Sequence, residues 1–169
     1  YIRVGQYYEA EIANVLAAKA DRSYIRHCAA QGFYPGAYYP HNEHFLWYAR
    51  LFQVKSAAAL ASANKTAEVA IDNYCGPKKA LEGPRLRHLP WLTLARFGRW
   101  DEVLRVAKPP ATNDFLMDRV MWHFTRGLAF AARDQADNAA REQTEMDRLI
   151  DSEDAKKINS PAFPATDTM

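Results

Sequence analysis

Apolar residues recur along most of this chain at steps of three and four, the period of a helix with one buried face. From Gln6 to Ala20 the step is kept by Tyr8, Ile12, Val15 and Leu16, with Ala13, Ala17 and Ala20 beside them. Ser23 is placed to cap a further short helix running to about Ala30. The stretch from Gly32 to Pro40 holds two Gly, two Pro and three Tyr and predicts a loop. Helices are predicted over His41–Gln53 and over alanine-rich Ser56–Ile71. Gly76-Pro77 and Gly83-Pro84 then break the chain around a basic linker. Leu89–Phe97 and Arg99–Val106 follow as shorter helices, stopped by Pro109-Pro110. Phe115–Arg133, with Asn113 or Asp114 as its cap, and Ala136–Ile150 form the clearest pair. No stretch alternates apolar and polar residues over a strand length, and alanines outnumber Val, Ile and Thr together. The pattern predicts an all-α chain.

The turns between these helices repeat. Gly5-Gln6-Tyr7-Tyr8-Glu9-Ala10 has a turn residue, an aromatic two later and an alanine five later. Gly98-Arg99-Trp100-Asp101-Glu102-Val103 keeps the spacing, and Val54 to Ala59 and Asp134 to Ala139 keep it in degraded form. A tight turn between helices needs a residue that tolerates positive φ, and a small side chain further on lets two helices approach closely. Gly5 and Gly98 are therefore expected between antiparallel helices, with Tyr7 and Trp100 largely buried.

Gly5, Tyr7, Ala10 and Ala17 followed by Asp21, then Gly98 with Trp100, and Gly127 with Phe130 before Asp134 and Ala139, resemble the tetratricopeptide repeat family. The likeness covers residues 1–150, one partial and about three full units, with residues 151–169 as an extended tail. It implies a right-handed solenoid of antiparallel helix pairs with irregular loops between repeats, binding a peptide or partner protein on its concave face. The run Tyr34-Pro35 and Tyr38 to Trp47, with Arg96 to Glu102 and Trp122-His123, is similar to an inner portion of larger bacterial members. Those members carry no reaction that transfers here, so a scaffold is expected rather than an enzyme, with no cofactor. Tyr1 to Val4 read as the last turn of a helix whose start is missing. The face carrying Ile12, Val15 and Leu16 is then expected to be partly uncovered, open to self-association through uncapped repeat ends.

Composition narrows the field without naming a ligand. The 169 residues carry a net charge of +2 and 12% aromatics, which excludes disorder for the bulk of the chain. Cations do not gather into the stripe of a nucleic-acid binder, and no apolar run approaches the length of a membrane span. Cys28 and Cys75 sit in unrelated segments and make no disulfide framework. Compartment is not fixed by the sequence, and a cytoplasmic location is the expectation.

Counting back from the turns places His41, His44, Tyr48, Arg85 and His88 on the groove-lining face, with Arg96 beside them. The corresponding positions further along are Leu92, Met121, Phe124 and Leu128, so the groove is polar at one end and apolar at the other. His44 and His88 fall at equivalent places and should share one surface. Glu43 and Arg50 fall on packing positions, against the register. His41-Asn42-Glu43-His44 admits three readings: a structural helix start, a recognition face, or two ligands of a transition metal. A small-molecule or metal site, conceivably enzymatic, using His41, His44 and His88 is the alternative to a scaffold. His123 and His27 read as packed histidines, and the Trp residues as core.

Overall fold

The computed structural model describes residues 1–29, 38–72, 86–112, 115–152, 154–155, 159–160 and 163–164. Among these it holds seven α-helices: α1 (Tyr7–Cys28), α2 (Tyr39–Phe52), α3 (Ser56–Asp72), α4 (Leu89–Arg96), α5 (Trp100–Arg105), α6 (Leu116–Ala131) and α7 (Ala136–Ile150). Two-residue strands β1 (Asn159–Ser160) and β2 (Phe163–Pro164) pair antiparallel after the last helix. The all-α expectation therefore holds through residue 150. The chain divides into two compact units, Tyr1–Lys78 and Lys79–Met169.

The four turn positions share one backbone solution. Gly5, Val54, Gly98 and Asp134 all have left-handed φ, between 57° and 77°. At each, the turn residue's N–H donates three residues back and the next N–H donates five residues back: Val54 to Leu51 and Lys55 to Arg50, Gly98 to Ala95 and Arg99 to Leu94, Asp134 to Ala131 and Gln135 to Phe130. Gly5 to Ile2 and Gln6 to Tyr1 close a 3-10 turn the same way. This is the glycine-type helix stop, with its two orphan carbonyls satisfied. Five residues on, Ala10, Ala59 and Val103 are all buried, where a small side chain sets close helix approach. Tyr7 and Trp100 are only half-buried. Tyr7 stacks on Phe52 at 5.1 Å, and the Trp100 ring lies against Gly98.

Val54 is the strained member of the set, being β-branched at φ 58° and 70% exposed. A left-handed conformation at such a residue costs energy that glycine avoids, and nothing packs on the side chain to offset it. Val54→Gly should therefore stabilise residues 1–78 by about 1 kcal/mol, after the entropy lost by a more flexible unfolded chain. A urea midpoint followed by Trp47 fluorescence in a background with Trp91, Trp100 and Trp122 replaced by Phe checks this; an unchanged or lower midpoint contradicts it.

Three expectations need correction. Ser23 caps no new helix: α1 runs unbroken for 22 residues and ends at left-handed Ala29. Ser23 is interior, and His27 Nδ1 lies 2.7 Å from its carbonyl oxygen and 3.3 Å from its hydroxyl. Tyr39-Pro40 belong to α2 rather than to the preceding loop, because proline suits the first turn of a helix, where its missing N–H is not needed. The tail is not simply extended, since Ala155 packs with Leu116, Val120 and Leu149. Asn113 and Asp114, and most of the Gly32–Pro40 loop, lie outside the described residues.

In the first unit α2 packs against both α1 and α3. Its core is alanine-rich, with Ala10, Ala18, Ala49, Ala59 and Ala63 buried around Tyr39, Leu46 and Trp47. In the second unit α6 is the centre, packed by α4, α5 and α7. Fully buried Val103 and buried Leu89, Leu94, Trp122 and Ala129 fill it. Trp122 donates its indole N–H to the Val106 carbonyl at 3.0 Å.

Candidate functional site

Helix α2 places the largest group of candidate residues. His41, His44 and Tyr48 stand on one face, as three- and four-residue steps require. Phe45 and Phe52 share that face, and Tyr38 leads into it. The rings contact one another along the helix: His41 on Phe45 at 4.5 Å, His44 on Trp47 at 5.3 Å, and Tyr48 on Phe52 at 4.5 Å. His41, Tyr38, Phe45 and Phe52 are exposed, and His44 and Tyr48 half-exposed. The result is a solvent-facing row of aromatic rings about three turns long. Sequence reasoning singled out His41, His44 and Tyr48 but missed Tyr38, Phe45 and Phe52. The four- and three-residue spacing of Tyr38, His41, Phe45, Tyr48 and Phe52 was the available signal.

The other expected residues lie elsewhere. Arg96 is exposed at the end of α4 in the second unit, and Arg85 is outside the described residues. His88 is 7% exposed, so its imidazole belongs to the core of its unit and does not open onto a surface. Its Nδ1 lies 3.6 Å from Asp118 Oδ1, and Arg87 donates to Asp118 Oδ2 at 2.9 Å. Arg87 also covers the Phe115 ring at 4.2 Å.

His123 is packed as expected. It is 5% exposed, with Nδ1 2.6 Å from Glu142 Oε2. The same carboxylate accepts from Arg126 Nε at 2.8 Å, and Arg126 lies over Trp122 and Phe130. His27 is exposed rather than packed, as is Cys28. Trp47 and Trp122 are core, whereas Trp91 and Trp100 are half-buried.

Glu43 and Arg50 do occupy packing positions, and ion pairs reconcile them with burial. Glu43, 3% exposed, accepts from Arg22 at 2.9 Å. Burial pushes the Tyr39 hydroxyl above its ordinary range, and Arg22 is held up by its bonds to Tyr39 and Glu43. Arg50 bridges Glu11 at 2.9 Å and Ser62 at 2.7 Å. A cleft of about 250 Å³ opens between α1, α2 and α3. Its three cations, Arg22, Arg50 and Lys65, already face Glu43, Glu11 and Glu68.

Glu11 gathers three donors: Arg50, Gln53 at 2.9 Å and Lys55 at 2.6 Å. Burial alone would raise its pKa, but the bonds from Lys55, Arg50 and Gln53 outweigh it and hold the carboxyl below 4.5. A carboxylate depressed on folding contributes stability above its unfolded value, and that contribution is lost as pH falls through the folded value. Wild type should therefore exceed Glu11→Gln in stability at neutral pH, with the two converging as pH drops below 4.5. A stability gap in urea titrations that persists at low pH contradicts this assignment.

Among the described residues no group of three or more His, Cys, Asp or Glu is arranged to hold a metal. None of the described helices is long and apolar enough to cross a membrane. Fold and site together define a protein of helical hairpins with an exposed aromatic face. No family model, curated protein or solved structure matches the chain.

Proposed function

We propose that the chain is a non-catalytic interaction scaffold of the tetratricopeptide-repeat kind, which takes a peptide or partner protein on the aromatic face of α2. The observation that carries this reading is the row of exposed Tyr38, His41, Phe45 and Phe52, with half-exposed His44 and Tyr48 among them. Aromatic side chains give large contact area at small entropic cost and dominate binding energy at interfaces. The four matching turns, three of them with a buried small residue five positions on, support a repeat architecture. Contacts to the partner are assigned to His41, His44 and Tyr48, extended by Phe45 and Phe52. His88 serves the core beside Asp118. Metal or small-molecule binding through His41 and His44 stays the weaker reading, because each ring rests on an aromatic neighbour.

The test compares affinity capture from source cells by wild type, by Phe45→Ala/Tyr48→Ala, and by Asn64→Ala on exposed α3 surface. Partners retained by wild type and Asn64→Ala should fall by about tenfold or more with the double variant. Equal capture by all three removes α2 from the interface. Stoichiometric zinc or nickel in the purified protein, lost in His41→Gln/His44→Gln, would favour the metal reading.

A further inference from the structure

The cleft between α1, α2 and α3 holds more donors than its own carboxylates use. Its charged lining is three cations, Arg22, Arg50 and Lys65, and one carboxylate, Glu43. Around Glu43 the charges close: Arg22 bonds Glu43, and Lys65 bonds Glu68 just outside the lining. Asp21 is bonded to Asn42 and does not line the cleft. Around Arg50 they do not close. Glu11 is shared by Arg50 and Lys55, two cations on one carboxylate, so one positive charge is left over.

Two donors at that end also lack acceptors. Arg50 gives Nε to Glu11 and Nη1 to the Ser62 hydroxyl oxygen, which leaves Nη2 without a partner among the described residues. Nη2 is not enclosed by protein, since no atom of Arg50 is both buried and unpartnered. Ser62 is 2% exposed; its hydroxyl accepts from Arg50 at 2.7 Å, and nothing among the described residues accepts its own hydrogen. A hydroxyl carries one O–H donor, and leaving a buried donor unmet is costly. One charge and two free donors side by side call for an oxyanion. Ala18, Leu46 and Ala61 give the same cleft apolar walls. An occupant polar all round would set oxygens against those walls with no donor to meet them. A volume of about 250 Å³ lies below the range of drug-sized ligands, so the occupant is small.

We propose that this cleft binds a short aliphatic monocarboxylate, its oxygens on Arg50 Nη2 and the Ser62 hydroxyl and its tail along Ala18 and Leu46. A single carboxylate neutralises the charge left over, and bonds to a charged acceptor are the strong ones. Glu43 stands two turns from Arg50 on α2, about 10 Å along the axis, and so does not oppose the bound anion. The cleft includes none of the aromatic row of α2, so ligand binding here and partner capture there stand or fall separately.

A backbone-amide NMR titration with butyrate at constant ionic strength, up to about 50 mM, tests it. Butyramide serves as the uncharged isostere and inorganic phosphate as the anion without a tail. Butyrate should give saturable shifts at Leu46, Arg50 and Ser62, with a millimolar Kd, and the two controls should bind at least about tenfold more weakly. Ser62→Ala should weaken butyrate by about tenfold or more, the loss of a hydrogen bond to a charged group. Ala61→Phe, at an exposed position on the wall, should block the cleft without touching the polar side chains, and it serves alone should Ser62→Ala lose its circular dichroism. The proposal is overturned by butyrate shifts that never saturate or lie outside the cleft. It is equally overturned by a control that binds as tightly as butyrate, or by a folded variant of either kind with wild-type affinity.

Discussion

Replacing Asp118 by Ala should destabilise residues 79–169 by about 3–5 kcal/mol, the cost of breaking a buried ion pair from one side. Asp118 is 2% exposed, and the Arg87 side chain that faces it is 14% exposed. Removal of the carboxylate takes away the acceptor 2.9 Å from the Arg87 guanidinium, which lies over the Phe115 ring. It also removes the carboxylate 3.6 Å from His88 Nδ1, a buried nitrogen with no hydrogen-bond partner among the described residues. The double variant Arg87→Met/Asp118→Leu should recover more than half of the loss, since apolar side chains of similar volume replace a buried pair at little cost. Three of the four Trp lie in residues 79–169, so fluorescence reports mainly on that unit's unfolding. A loss below about 1 kcal/mol for Asp118→Ala would show that the pair is solvated in solution.

The second large effect belongs to Glu142. One carboxylate serves buried His123 and half-buried Arg126, and ties α7 to α6. Glu142→Ala leaves the imidazole without its 2.6 Å contact, while Arg126 keeps the Leu104 carbonyl at 3.1 Å and its two rings. The expected cost is about 2–4 kcal/mol, less than for Asp118 because the Glu142 side chain is less deeply buried, 13% exposed against 3%. Glu142→Gln should cost less again, since the amide oxygen still accepts one bond. Urea denaturation of the three proteins should rank them in that order. Equal stability of Glu142→Ala and wild type would mean that water replaces the carboxylate freely.

The aromatic face of α2 was half legible in the sequence. Helical spacing placed His41, His44 and Tyr48 together, and the same arithmetic applied to Tyr38, Phe45 and Phe52 would have completed the row. His88 was misplaced for a different reason. Its position relative to the turn is the same as that of His44, but its surroundings are set by Asp118, thirty positions along the chain and on another helix. Helix α2 starts at Tyr39, two residues before the His41 that the sequence pattern predicts, because proline fits a first helical turn.

The sequence by itself determined that the chain is helical and where four of its turns fall. Helical period and positive-φ turns depend on residues within a few positions of each other, so Gly5, Val54, Gly98 and Asp134 could be recognised with no knowledge of neighbours. Only the tertiary structure decided which charges could be buried. Glu43 sits in a core because Arg22 reaches it across 21 positions, and Arg50 because Glu11 reaches it across 39. Ion pairing acts through space, and a carboxylate in the interior is tolerated only where a cation and hydrogen-bond donors arrive with it. That arrival is a property of helix packing, which no local pattern encodes.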